Sequence, residues 1–189
     1  MYLYKSASKY LKLITCALTG AALLSACSPD VKQDAAPVYF DIKGYFKAEA
    51  ARLAKQNKPV LKTIIHNGNT ETKKVNIQNW EQELNMFISA DINKPAWKDS
   101  YTIQQTENTV IYKAKAEAAD GLDTRDIIIN KQDGKVKWIL IFTHTPKNLL
   151  YETKTKLSWF PDSAYQIQKS QTVRLLGNNT YDISGKLNQ

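Results

Sequence analysis

In Val136-Lys137-Trp138-Ile139-Leu140-Ile141-Phe142-Thr143, β-branched and aromatic residues follow one another, and successive positions are apolar. A strand with apolar side chains on both faces belongs in the interior of a sheet, with a helix over one face. Gln132-Asp133-Gly134-Lys135 precedes it, and Asp-Gly is a hairpin signal because both residues accept positive φ. Its antiparallel partner is therefore Thr124 to Asn130, through Ile127, Ile128 and Ile129. Further upstream, Val110, Tyr112, Ala114 and Ala116 alternate with Ile111, Lys113, Lys115 and Glu117, the pattern of a strand with one buried and one wet face. Downstream, Leu149 to Trp159, Ala164 to Val173 and Tyr181 to Leu187 read as strands, separated by Phe160-Pro161-Asp162-Ser163 and by Gly177-Asn178-Asn179. Everything from Tyr101 onward reads as strand and turn, about six strands in an antiparallel meander.

Helical periodicity is confined to the preceding part. Ile42, Phe46, Ala50 and Leu53 make one apolar stripe over about Asp41 to Gln56, with Asp41 as N-cap and Asn57-Lys58-Pro59 as the stop. Pro59 to Ile77 is a hairpin turning at Asn67-Gly68-Asn69. A second helix is expected from about Asn79 to Ile92, where Asn79 and Gln82 fit a capping box and Trp80, Leu84, Phe87 and Ile88 form the stripe. Pro95 forbids its continuation, and residues 96–100 are a loop. The expected fold class is α+β: two N-terminal helices with a β-hairpin between them, packed on a curved, mainly antiparallel sheet.

The first 27 residues are of another kind. Lys5, Lys9 and Lys12 precede an apolar run from Leu13 to Leu24, too short to serve comfortably as a spanning helix, and then Leu24-Ser25-Ala26-Cys27. This resembles a bacterial lipoprotein signal peptide. The resemblance covers residues 1–27 and implies cleavage before Cys27, lipidation of Cys27 by a diacylglyceryl group and acylation (palmitate) of the new amino terminus. It divides the chain into a signal (1–26), a flexible, proline-bearing tether (27–37) and one globular domain (38–189). Several acyl chains anchor stably where one holds marginally, each buried methylene contributing about 0.8 kcal/mol. Ser28 beside the lipidated cysteine is similar to a signal for release to the outer membrane. No run of acids follows Cys27, so the expected place is the outer membrane, facing the periplasm.

Charge and cysteine count limit the function classes. The chain carries a formal +8, of which three lysines lie in the signal, leaving the mature chain near +5. Those lysines are spread along the sequence rather than focused on one element, which excludes a nucleic-acid patch. Cys16 lies in the signal and Cys27 takes the lipid, so the mature domain has no disulfide and no cysteine metal ligand. His66 and His144 each end a strand without metal-binding spacing, and Asp120, Asp123 and Asp126 straddle a turn without the calcium-loop pattern. No nucleophile elbow and no phosphate-cradling glycine loop is present. Neither a catalytic residue, a metal nor a cofactor is assigned.

What remains are aromatics at element ends and one tripeptide. Trp97 in a loop and Trp159-Phe160 at a strand end are candidate contacts for a ligand or partner, or plugs of the core ends. Asp162-Ser163-Ala164 resembles the O-glycosylation tripeptide of Bacteroidota envelope proteins, which makes Ser163 a candidate acceptor. The expected function is a membrane-anchored, non-enzymatic envelope lipoprotein that binds a protein or a polymer. An alternative is a carrier or receptor for a lipophilic ligand. Its outline resembles the half-barrel of lipoprotein-sorting factors, and it asks for an apolar cavity of about 300 Å3 or more between sheet and helices. A hydrolase of cell-wall or glycan substrates would need two carboxylates facing each other across a cleft.

Overall fold

The computed structural model describes residues 37–145 and 150–188. The lipobox, Cys27 included, lies outside them.

Helix α1 (Ile42–Gln56) starts where Asp41 Oδ accepts from Gly44 N–H at 2.7 Å, and it ends at Asn57 in the left-handed region, whose N–H reaches Leu53 O at 3.2 Å. Strands β1 (Val60–His66) and β2 (Asn69–Val75) form the first hairpin. Its two turn residues, Asn67 and Gly68, both have positive φ, the geometry that matches strand twist. Two short helices follow, α2 (Trp80–Glu83) and α3 (Asn85–Ser89), then a 3-10 turn at Pro95–Trp97. The remaining strands are β3 (Tyr101–Gln105), β4 (Thr109–Ala114), β5 (Thr124–Gln132), β6 (Lys135–Thr145), β7 (Tyr151–Phe160), β8 (Ala164–Val173) and β9 (Gly177–Lys186).

These strands make one open nine-stranded sheet in the order β2-β1-β9-β8-β7-β6-β5-β4-β3, each neighbouring pair antiparallel. The meander β3 to β9 is extended by the first hairpin, which adds β1 beside β9. β6 lies inside the sheet, next to the central strand β7, as its apolar character on both faces requires. The edge strand β2 is exposed and polar, with an ion pair between Glu71 and Lys73 that discourages further strand addition.

Register assigns every side chain to a face. Tyr165, Trp159, Ile139 and Ile129 align across β8 to β5, and Ile167, Leu157, Ile141, Ile127 and Tyr112 align one step further along. All are buried, and the helices lie over them. Phe46 of α1 and Phe87 of α3 meet at 4.8 Å between ring centroids, and both stand edge-on to Trp159. Trp159 Nε1 donates to Tyr45 Oη at 3.2 Å. Burial pushes the Tyr45 hydroxyl up to about 12, with the indole bond pulling the other way. Beside this cluster Glu83 accepts from Lys62 Nζ at 2.7 Å and from Tyr165 Oη at 2.5 Å, tying α2 to β1 and β8. Burial first, and then that carboxylate, raise the Tyr165 hydroxyl well above its ordinary range.

The structure departs from the sequence expectation in three places. The single helix expected over Asn79 to Ile92 is two, broken at Leu84. A tight bond from Phe87 N–H to Leu84 O (3.0 Å) turns Phe87 onto Phe46, and the Ala90 carbonyl leaves the helix to accept from Thr124 Oγ1 at 3.1 Å. Ala116 and Glu117, expected to end a strand, join Asp120-Gly121, expected as a turn, in a 3-10 helix over 116–121, consistent with the poor strand preference of Ala-Glu-Ala-Ala-Asp-Gly. Finally, Gly177-Asn178-Asn179 is not the last turn. It opens β9, and the chain reverses earlier, at Arg174-Leu175-Leu176.

Candidate binding surface

The same register defines the face of the sheet opposite α1, α2 and α3. One row runs Ile65, Asp182, Gln168, Lys156, Phe142 and Asp126 across β1, β9, β8, β7, β6 and β5. A parallel row two residues along holds Thr180, Ser170, Lys154 and His144. Between them lies an open depression of about 580 Å3 whose lining is mainly apolar. On β4 the sequence made this face look wet, yet Ile111, Ile128, Leu140 and Phe142 are all half-buried on it, so an apolar stripe continues from the depression across β6, β5 and β4.

Polar groups around the depression are ordered by one another. Asp182 accepts from the side-chain amides of Gln166 (2.9 Å) and Gln168 (3.1 Å). Glu152 pairs with His144 Nε2 at 2.8 Å and Lys154 Nζ at 3.2 Å, and these two neighbours hold its carboxyl below the usual range. Arg125 sits on a bulge where the β5–β6 register shifts, and its Nη1 donates to Ala119 O. Its Nε is buried with no hydrogen-bond partner among the described residues. A donor held dry in this way costs about 1–3 kcal/mol, which makes this corner of the depression receptive to an acceptor. Lys156 is exposed on the rim. The arrangement can hold an apolar body and pair its polar end with cations; the two carboxylates of the first row, Asp126 and Asp182, lie four strands apart, about 19 Å along the sheet.

The aromatics picked out from the sequence are not brought together. Trp159 is fully buried on the helix side, so of the two expectations the ligand or partner contact is corrected and the core plug holds: strand alternation aims it inward. Trp97 is half-buried against the core in the 3-10 turn, with Lys94 Nζ 3.7 Å over its ring and its carbonyl accepting from Tyr39 Oη. Phe160, 41% exposed, is on the helix-free side at the far end of β7. Ser163 is exposed in the β7–β8 turn beside Asp162, whose carboxylate pairs with Arg52 at 2.6 Å. His66 and His144 share a level of the sheet but opposite faces. His66 stacks on Tyr181 at 4.3 Å, while His144 engages Glu152. Among the described residues no group of three metal-ligating side chains occurs, and no helix is long and apolar enough to cross a membrane.

The residues of the depression were missed because each is ordinary alone. The usable signal was β6 itself: a strand apolar on both faces needs a cover on both, and the helices supply only one. No protein-family model matches the chain, and no curated protein or solved structure matches it either.

Proposed function

We propose that this chain is a lipid-anchored envelope protein whose domain is a non-enzymatic binding module, and that the helix-free face of its sheet is the binding surface. The observation that carries the reading is the open depression of about 580 Å3 on that face, backed by Phe142 and Ile65 and rimmed by Lys154 and Lys156. Its size is that of small-ligand sites, which run from about 300 to 1,000 Å3. The lipobox at Leu24–Cys27 supports the anchor, and Ser28 supports an outer-membrane address facing the periplasm.

The depression also supports the carrier reading in a revised form. The space between sheet and helices is occupied by Phe46, Phe87 and Trp159, so a lipophilic ligand would lie on the opposite face. A sheet that bends around that face, as a depression shared by six strands suggests, belongs to the same reading. The hydrolase reading draws no support from Asp126 and Asp182: glycoside hydrolysis needs carboxylates about 5–9.5 Å apart, and Asp182 is already engaged by two amides.

Mass spectrometry of the full chain extracted from its host tests both halves. The intact mass should carry the lipid on Cys27, and Cys27→Ser should abolish it and leave a longer precursor. Under native conditions a bound mass should be present on the wild type and lost in Phe142→Glu. Normal processing and membrane fractionation of Cys27→Ser would remove the anchor; a bound mass indifferent to Phe142→Glu would remove the binding face.

A further inference from the structure

The β8–β9 turn holds the two most exposed large apolar side chains among the described residues. Leu175 is 92% exposed and Leu176 82%. Tight turns ordinarily use Gly, Asn, Asp, Ser or Pro, each for a conformational reason, and leucine has none. The backbone does not ask for them. Leu176 N–H bonds to Val173 O at 3.2 Å, and the positive φ that closes the loop falls on Gly177 (φ 82°). The fold is therefore satisfied by the frame around the leucines, and the leucines themselves bury nothing. The frame is firm: β8 and β9 pair over ten residues each, and Arg174 N–H bonds to Leu150 O at 3.0 Å, which sets a third exposed leucine (68%) beside the tip.

Charge narrows what the tip meets. From Lys169 to Tyr181 the hairpin carries two cations, Lys169 and Arg174, and no acid. A narrow projection with apolar side chains at its apex and a cation beside them matches the boundary between anionic headgroups and acyl chains. A protein interface would present a broader patch.

We infer that Leu175 and Leu176 insert into the surface of the lipid bilayer, giving the domain a second contact with the membrane besides its lipid anchor. The inference rests on the lipoprotein reading for its setting. The insertion itself belongs to the hairpin.

The test uses the full, host-processed chain in vesicles of phosphatidylethanolamine and phosphatidylglycerol. A nitrobenzoxadiazole label goes on Leu175→Cys and, as a control, on Lys47→Cys, an exposed position of α1. The label at position 175 should shift to the blue and be quenched several-fold more strongly by acyl-chain spin labels than the label at 47. Adding Leu176→Ser removes one of the two insertions and should lower the inserted fraction roughly tenfold. Because both leucines are exposed, melting of these variants should match the wild type, which separates loss of insertion from loss of fold. A label at 175 as open to aqueous iodide as that at 47 overturns the inference. Shielding that needs added envelope protein and no lipid overturns it too, in favour of a protein partner. Intact mass read on the same samples reports Cys27 lipidation separately, so an unlipidated chain that still inserts its tip contradicts only the anchor.

Discussion

Trp159→Ala lowers the free energy of unfolding by about 3–5 kcal/mol. The indole is fully buried, at the point where α1, α3 and the sheet meet. It gives edge contacts to Phe46 and Phe87 and a hydrogen bond to Tyr45 Oη. Truncation opens a void that neighbouring rings cannot collapse into, since Phe46 and Phe87 are already packed on each other. It also strands the Tyr45 hydroxyl in a half-buried position. A domain of this kind has only about 5–15 kcal/mol of stability in total, so the variant should melt far below the wild type. Trp159→Phe, which keeps most of the volume and loses the indole N–H, should fall between the two. Urea unfolding of all three chains is the measurement. A loss under about 1 kcal/mol for Trp159→Ala would mean that Trp159 is not in the core and that the helices do not cover this face.

Gly185→Ala should cost about 1–3 kcal/mol, although it adds one methyl to a strand. Gly185 is buried directly opposite Tyr165, and a Cβ there would stand 2.2 Å from the Tyr165 ring. The ring cannot move aside freely, because its hydroxyl is held by Glu83, which is in turn paired with Lys62. The expected result is a destabilised chain in which the link from α2 to β8 is broken. Gly121→Ala is the natural comparison: a Cβ there meets nothing within 4 Å, and the change should be near neutral. Equal stability of the two variants would contradict the packing of α2 on this sheet.

What the sequence showed and what it hid follow from one distinction. Local chemistry was legible. Asp41 and Asn79 mark helix starts that their side chains do cap, and Asn67-Gly68 and Asp133-Gly134 mark turns whose positive φ they supply. The antiparallel sheet was legible from alternation and from the apolar strand at Val136–Thr143. Tertiary context was not. Nothing in Trp80 to Ser89 announces the break at Leu84, which exists to seat Phe87 on Phe46. The Asn-rich stretch after Gly177 imitated a turn because the true turn uses leucines, against the ordinary rule. Trp159, at a strand end, could be read as a ligand contact or as a plug of the core, and only strand parity in the folded sheet points it inward. The depression was not legible, because Arg125, Phe142 and Lys156 share a face only once β5, β6 and β7 are in register, and Ile65 joins them only when β1 pairs with β9.

The central claim is that this domain binds through its helix-free face, and photocrosslinking in the living cell tests it most directly. Benzoylphenylalanine is introduced at Phe142→Bpa in the depression and at Lys47→Bpa on the exposed side of α1, in otherwise native, lipidated protein. The account predicts a discrete light-dependent adduct from position 142 and none from position 47. No adduct from 142, or the same adducts from both positions, would contradict it.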